Sequence, residues 1–122
     1  MSEITRENAW TKIRLNQRTR ICFICQYFED FRNASHRETE KHHIFHGTAN
    51  RSLADKDGLY VYLCPEHHRE GHDAVHGQDR KSYDMELERI GQQAYESRIM
   101  EEGADEETAR QVFRARYGRS WL

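Results

Sequence analysis

Every metal-capable side chain of the Cys and His types falls in one stretch of this chain. All eight histidines and all three cysteines lie between Cys22 and His76, less than half of the 122 positions. Within that window Cys22 and Cys25 form a CxxC, and Cys64 and His67 form a CxxH. A two-residue knuckle lets both donor atoms turn toward one ion, so the two knuckles together supply the four N/S ligands of a closed tetrahedral zinc site. The matched spacing favours zinc over buried free thiols, the other reading of cysteines in a reducing compartment. The 38 residues between the pairs exceed the loop of about 12 to 20 residues in a compact finger. Something further must therefore be built inside the clamp.

A staple matters because the apolar supply is lean. Hydrophobic residues make up 36% and charged residues 33%, which predicts a small core for a chain this short. With one proline, Pro65, and no repeat or low-complexity tract, residues 1–122 read as a single α+β domain in three stretches. Residues 1–20 read as a basic N-terminal arm. There Ile4, Trp10, Ile13 and Leu15 make no regular stripe, and Arg6, Lys12, Arg14, Arg18 and Arg20 outnumber Glu3 and Glu7, a modest footprint for phosphate.

Residues 21–77 form the stapled core. HHIF from His42 and LYVYLC ending at Cys64 favour strands, with a polar loop between them that ends in Asp57 and Gly58. Pro65 and Glu66 suit the first turn of a following helix. Residues 78–122 read as C-terminal helices. Asp79 caps the first, Tyr83, Leu87, Ile90 and Ala94 make its apolar stripe, and Gly103 ends it. Asp105 caps a last helix through Ala109, Val112, Phe113 and Tyr117, stopped by Gly118. Trp121 and Leu122 then pack either on the domain or on a second copy.

The net charge of −2 excludes a strongly basic nucleic-acid binder, and nine acidic against four basic residues over 81–110 make the C-terminal helices either scaffold or a surface for a protein partner. The start, MSEITRENAW, is charged from its third residue and has no apolar signal core. No run reaches the length of a membrane span, so a cytoplasmic location without a membrane partner is expected.

Cys22, Ile24 and Cys25, then His42, His43, Ile44, Phe45, Gly47, Ala49, Asn50 and Arg51, then GLYVYLCPEHHR and AVHG, carry a resemblance. Over about residues 20–77 the chain resembles the HNH nucleases, also called ββα-metal or His-Me finger nucleases. It is similar more closely to small HNH-type proteins of bacteriophages and prophages, whose ending the closing RYGRSWL also resembles. The resemblance implies a small ββα-metal core, stapled by the Cys and His zinc site, in a DNA endonuclease or nickase working in a bacterial host cell. It implies His42 as a ligand of a catalytic divalent metal (Mg²⁺, Mn²⁺ or Zn²⁺). His43, facing the other way on the strand, becomes the general base. His68 is a further implied ligand, with either His72, four residues on, or His76, in the V-H-G ending. Arg51 and Arg69 are candidate phosphate contacts.

Two positions depart from the family. Its asparagine would fall at Gly58 or Leu59, so Asn50 or Asp57 takes over the bracing of the base, or the brace is missing. His67 stands where many relatives carry cysteine, and ligates zinc equally well. His36 and His46 find no role and read as surface residues. A non-catalytic zinc module that binds DNA or a protein, as an accessory factor or inhibitor, is the competing function. A finger-type transcription factor is disfavoured by the long loop and the lack of a basic recognition helix.

Overall fold

Strict alternation in Tyr60–Leu63 sets the sheet: Val61 and Leu63 are buried, while Tyr60 and Tyr62 are half exposed on the other face. The computed structural model describes residues 4–29, 38–70, 75 and 81–122. In chain order they form α1 (Ala9–Thr19), α2 (Phe23–Tyr27), β1 (Glu40–His43), α3 (Thr48–Asp57), β2 (Tyr60–Leu63), one π-helical turn (Glu66–Glu70), α4 (Lys81–Glu101) and α5 (Glu106–Tyr117). The molecule is α+β, with β1 and β2 antiparallel in the register Glu40 to Leu63, Lys41 to Tyr62, His42 to Val61 and His43 to Tyr60. Lys41, His43, Tyr60 and Tyr62 thereby share the outer face, and His42 points inward with Val61.

A two-stranded sheet is marginal by itself, and α1 completes it. Buried Asn16 accepts the backbone N–H of Tyr62 through Oδ1 at 2.7 Å and donates Nδ2 to the Ile21 carbonyl at 2.6 Å. Gln17 Nε2 donates to the carbonyls of Gly58 and Tyr60 at 2.8 and 2.9 Å. These side chains satisfy backbone groups of β2. The stretch read as a basic arm is therefore largely a packed helix that buries Ala9, Ile13 and Asn16. Several of its cations lie over aromatic rings, Lys12 over Tyr27 and Arg20 over Tyr62 among them.

The polar loop expected between the strands is the helix α3. Ala54 is its buried residue, so it has no apolar stripe from which a 3.6-residue period could be read. Gly58 ends it at φ +72, and a Cβ there would stand 3.0 Å from the Trp10 ring. Conformation and space both require glycine.

The C-terminal helices follow their pattern. Leu87, Ile90 and Ala94 are buried, Tyr83 packs at the core's margin, and Asp105 accepts the Thr108 N–H at 2.7 Å as the cap of α5. Val112 departs from expectation and is exposed, because it sits about 100° around the helix from Phe113. The expected cap at Asp79 lies outside the described residues. Trp121 packs on its own domain, 4.9 Å from the Phe45 ring, and its N–H donates to Gln92 Oε1 at 2.7 Å. Gly91, in the middle of α4, lets the segment after β1 come close: a Cβ there would meet Ile44 at 2.8 Å and Phe45 at 3.1 Å. Asp84, Glu88 and Glu96 are buried, so the acidic face of α4 is thinner than its composition suggests. Glu96 accepts from Arg110 Nε and from Gln92 Nε2, both at 2.7 Å. Among the described residues no helix is long and apolar enough to cross a membrane.

Candidate metal centres and the histidine strand

The two knuckles meet. Cys22 caps α2, Cys25 lies within it, Cys64 follows β2 directly, and His67 sits in the π-helical turn, which brings four buried donors within 4.8 Å of one another. His67 Nδ1 is 3.5 Å from Cys22 Sγ, 3.3 Å from Cys25 Sγ and 3.3 Å from Cys64 Sγ, and the sulfurs of Cys25 and Cys64 are 4.0 Å apart. Tetrahedral zinc, with Zn–S about 2.3 Å and Zn–N about 2.0 to 2.1 Å, sets its ligand atoms about 3.5 to 3.8 Å apart. The donor set fits the ion.

Its surroundings fit as well. His67 Nε2 donates to Glu29 Oε2 at 3.1 Å, and the Tyr83 hydroxyl donates to the same oxygen at 2.8 Å. A carboxylate behind the ring fixes the tautomer that presents the Nδ1 lone pair to the thiols. Burial pushes the Cys22 thiol up, with the neighbouring thiols of Cys25 and Cys64 adding to the rise. A bound cation reverses that preference and makes the thiolate the favoured form. The cluster is thus a Cys3His site able to hold a metal ion, consistent with structural zinc.

β1 divides its two histidines. His42 is buried, and His43 emerges on the outer face, where Nε2 donates to Asp55 Oδ1 at 2.8 Å. Lys41 Nζ binds the same carboxylate oxygen at 2.8 Å. Lys41 and then His43 hold the Asp55 carboxyl below the usual range. The residue bracing His43 is therefore Asp55, and neither residue considered for that task does it. Asn50 donates to the Tyr117 carbonyl at 3.5 Å, and Asp57 accepts from Arg116 at 2.7 and 2.9 Å and from the Tyr117 hydroxyl at 2.6 Å. Asp55 lies in the stretch read as a loop, which hid its helical position on α3.

Of the other candidate ligands, His68 stands beside His42 with ring centroids 5.3 Å apart, and its Nδ1 donates to Glu40 Oε1 at 2.9 Å. Arg69 also donates to Glu40, which His68 first and Arg69 after it hold below its usual range. Arg69 is exposed but has a partner in that carboxylate; Arg51 lies exposed on α3. His72, His76 and His36 lie outside the described residues.

His46 departs from the surface reading. Its Nε2 donates to Asp84 Oδ1 at 2.8 Å and Oδ2 at 3.0 Å. Its ring is 5.7 Å from that of His42, and His42, His46 and Asp84 each place a ligand atom within 4.8 Å of the others. His46 lies past the end of β1, in the turn that follows it, so strand alternation gave no sign that it would meet His42. No local signal pointed to Asp84. Comparison with protein-family models, with curated proteins and with solved structures returns no match for the chain.

Proposed function

We propose that the chain is a metal-dependent phosphodiesterase of the HNH type, acting on DNA as an endonuclease or nickase, of bacteriophage origin and working in the cytoplasm of a bacterial host. The observation that carries this reading is the hydrogen bond from His43 Nε2 to Asp55 at 2.8 Å, beside a buried histidine on the same strand. With Nε2–H donated to the carboxylate, the lone pair is on Nδ1, and the ring is oriented to accept a proton there. His43 takes the proton of an attacking water as the new P–O bond forms and the P–O3′ bond breaks, and the departing 3′ oxygen takes a proton from solvent water, leaving a 5′ phosphate and a 3′ hydroxyl. A divalent cation held at His42 supplies, when bound, Lewis-acid stabilisation of charge on the phosphate and the departing oxygen. Lys41 beside His43 and Arg51 on α3 offer positive charge to the DNA backbone. The Cys3His cluster holds β2 and the turn after it in place with zinc.

Incubating supercoiled plasmid with the protein and Mg²⁺ or Mn²⁺ tests this. Nicking by the native chain is expected, and His43→Ala should lower it by about 10² to 10⁴-fold. Equal nicking by both would remove His43 as the base, and no nicking with any divalent ion would overturn the reading. The net charge of −2 favours the competing function, an HNH-type zinc module that binds DNA or a protein without cutting. That function predicts retained binding and no strand breaks.

A further inference from the structure

We propose that His42, His46 and Asp84 form a second metal site, distinct from the thiolate cluster, that takes a divalent cation of the first transition series. The ligand atoms of the three residues lie within 4.8 Å of one another. They come from three places in the fold: β1, the turn after it, and the first turn of α4. Two imidazoles and one carboxylate are the donor set of borderline cations such as Zn²⁺, Mn²⁺, Fe²⁺ or Co²⁺, and three protein ligands leave coordination positions open.

Burial carries the argument further. Asp84 is 5% exposed and His42 2% exposed, and a carboxylate is seldom enclosed unless it is paired or bound to metal. The 2.8 and 3.0 Å distances place both Asp84 oxygens on one ring nitrogen. Beyond the pair of His46 and Asp84, the His42 ring is brought to the same point from the buried face of β1. The Asp84 carboxylate gives the three ligands a negative charge, which favours a divalent cation between them. Glu88, one helical turn beyond Asp84 and also buried, adds negative charge on the same face of α4.

Gly91 supports the placement, because its bare Cα is what lets Ile44 and Phe45 lie against α4. The same segment carries His46 to the first turn of α4, where Asp84 lies. The site goes beyond the nuclease reading in naming ligands, and it is open to measurement whether or not the chain cuts DNA.

Metal stoichiometry with Co²⁺ as the probe tests the proposal. Thiolate ligands give cobalt a strong charge-transfer absorption, and a nitrogen and oxygen site does not. The full-length protein, stripped and then titrated, should take two equivalents, one of which shows the thiolate band. Asp84→Asn and His46→Phe should each keep the thiolate band at full strength, which reports an intact fold, and weaken the second equivalent by more than about 100-fold. A native chain that takes a single equivalent overturns the site without reference to any variant. Two equivalents retained at native affinity by both variants would also overturn it, placing the second ion elsewhere. Absence of nicking by a chain that binds two equivalents would refute the nuclease reading and leave this site standing.

Discussion

Cys64 of the Cys3His cluster follows β2 directly and the histidine pair lies on β1, its partner strand, yet the two sites are built on opposite principles. The cluster is closed: all four donors are buried and each faces the others, with Glu29 and Tyr83 behind His67. The strand site is open: His43 comes to the surface, Asp55 is 48% exposed, and the side chains around it are drawn from β1 and α3. Four enclosed donors suit a structural ion, whereas a partly exposed imidazole oriented by a carboxylate suits the proton transfer proposed for it. Damage to the first should therefore appear as lost structure, and damage to the second as lost activity.

The largest effect tests the cluster. Cys25→Ser, or removal of metal with a strong chelator, should cost more than about 5 kcal/mol, enough to abolish the cooperative thermal transition, because structural zinc contributes about 10 to 16 kcal/mol in small domains. Circular dichroism with and without added zinc measures it. A native-like melt in the chelated protein would show that the apolar core suffices alone.

Asp55→Ala sharpens the contrast from the other side. Nicking should fall by about 10 to 100-fold, as when an orienting partner is removed, while the melting temperature moves little because the residue is half exposed. Asp57→Asn, two positions along the same helix, should do the reverse, costing about 1 to 2 kcal/mol through its contacts with Arg116 and Tyr117 and leaving the nicking rate unchanged. If both variants changed the same property, the division between the two regions would be lost.

Gly91→Ala should destabilise by about 1 to 2 kcal/mol, even though alanine favours helix by about 1 kcal/mol. Overpacking against Ile44 and Phe45 outweighs the gain in helix propensity. Urea unfolding gives the number.

The smallest effect is pH dependence at the strand. Asp55 and Glu40 have folded-state pKa values depressed by Lys41 and His68 respectively. Their contribution is present in full above the unfolded values, about 3.9 and 4.3, and is lost as the pH falls through the lower folded values. Below about pH 5 the urea midpoint should fall, and Lys41→Met should make that acid limb shallower, because Asp55 then has less stabilisation to lose on protonation. An unchanged acid limb in that variant would separate Asp55 from Lys41.

What could be read in the sequence follows from how local each requirement is. Ligand pairs three residues apart and the alternation of Tyr60–Leu63 are local, so the cluster and β2 were visible, as were the stripe of α4 and the cap at Asp105, whereas β1 covers Glu40–His43 and leaves Ile44 and Phe45 of the expected HHIF strand outside it. α3 was not, because a helix that buries little besides Ala54 leaves no periodic mark. The packed character of α1 was hidden for a different reason. Its contribution to the sheet is made by polar Asn16 and Gln17, which hydropathy counts as surface. His46 and Asp84 are 38 residues apart, and they meet only through the docking of α4, which the space at Gly91 permits.

Tyr83 and Asp84 are consecutive, about 100° apart around the first turn of α4. One reaches Glu29 behind His67 and the other reaches His46. That single turn is thus a shared abutment: a rotation or unwinding there slackens the support of the thiolate cluster and moves the carboxylate opposite His46 in the same motion. The two sites differ in burial and in chemistry, but they do not have separate mechanical fates.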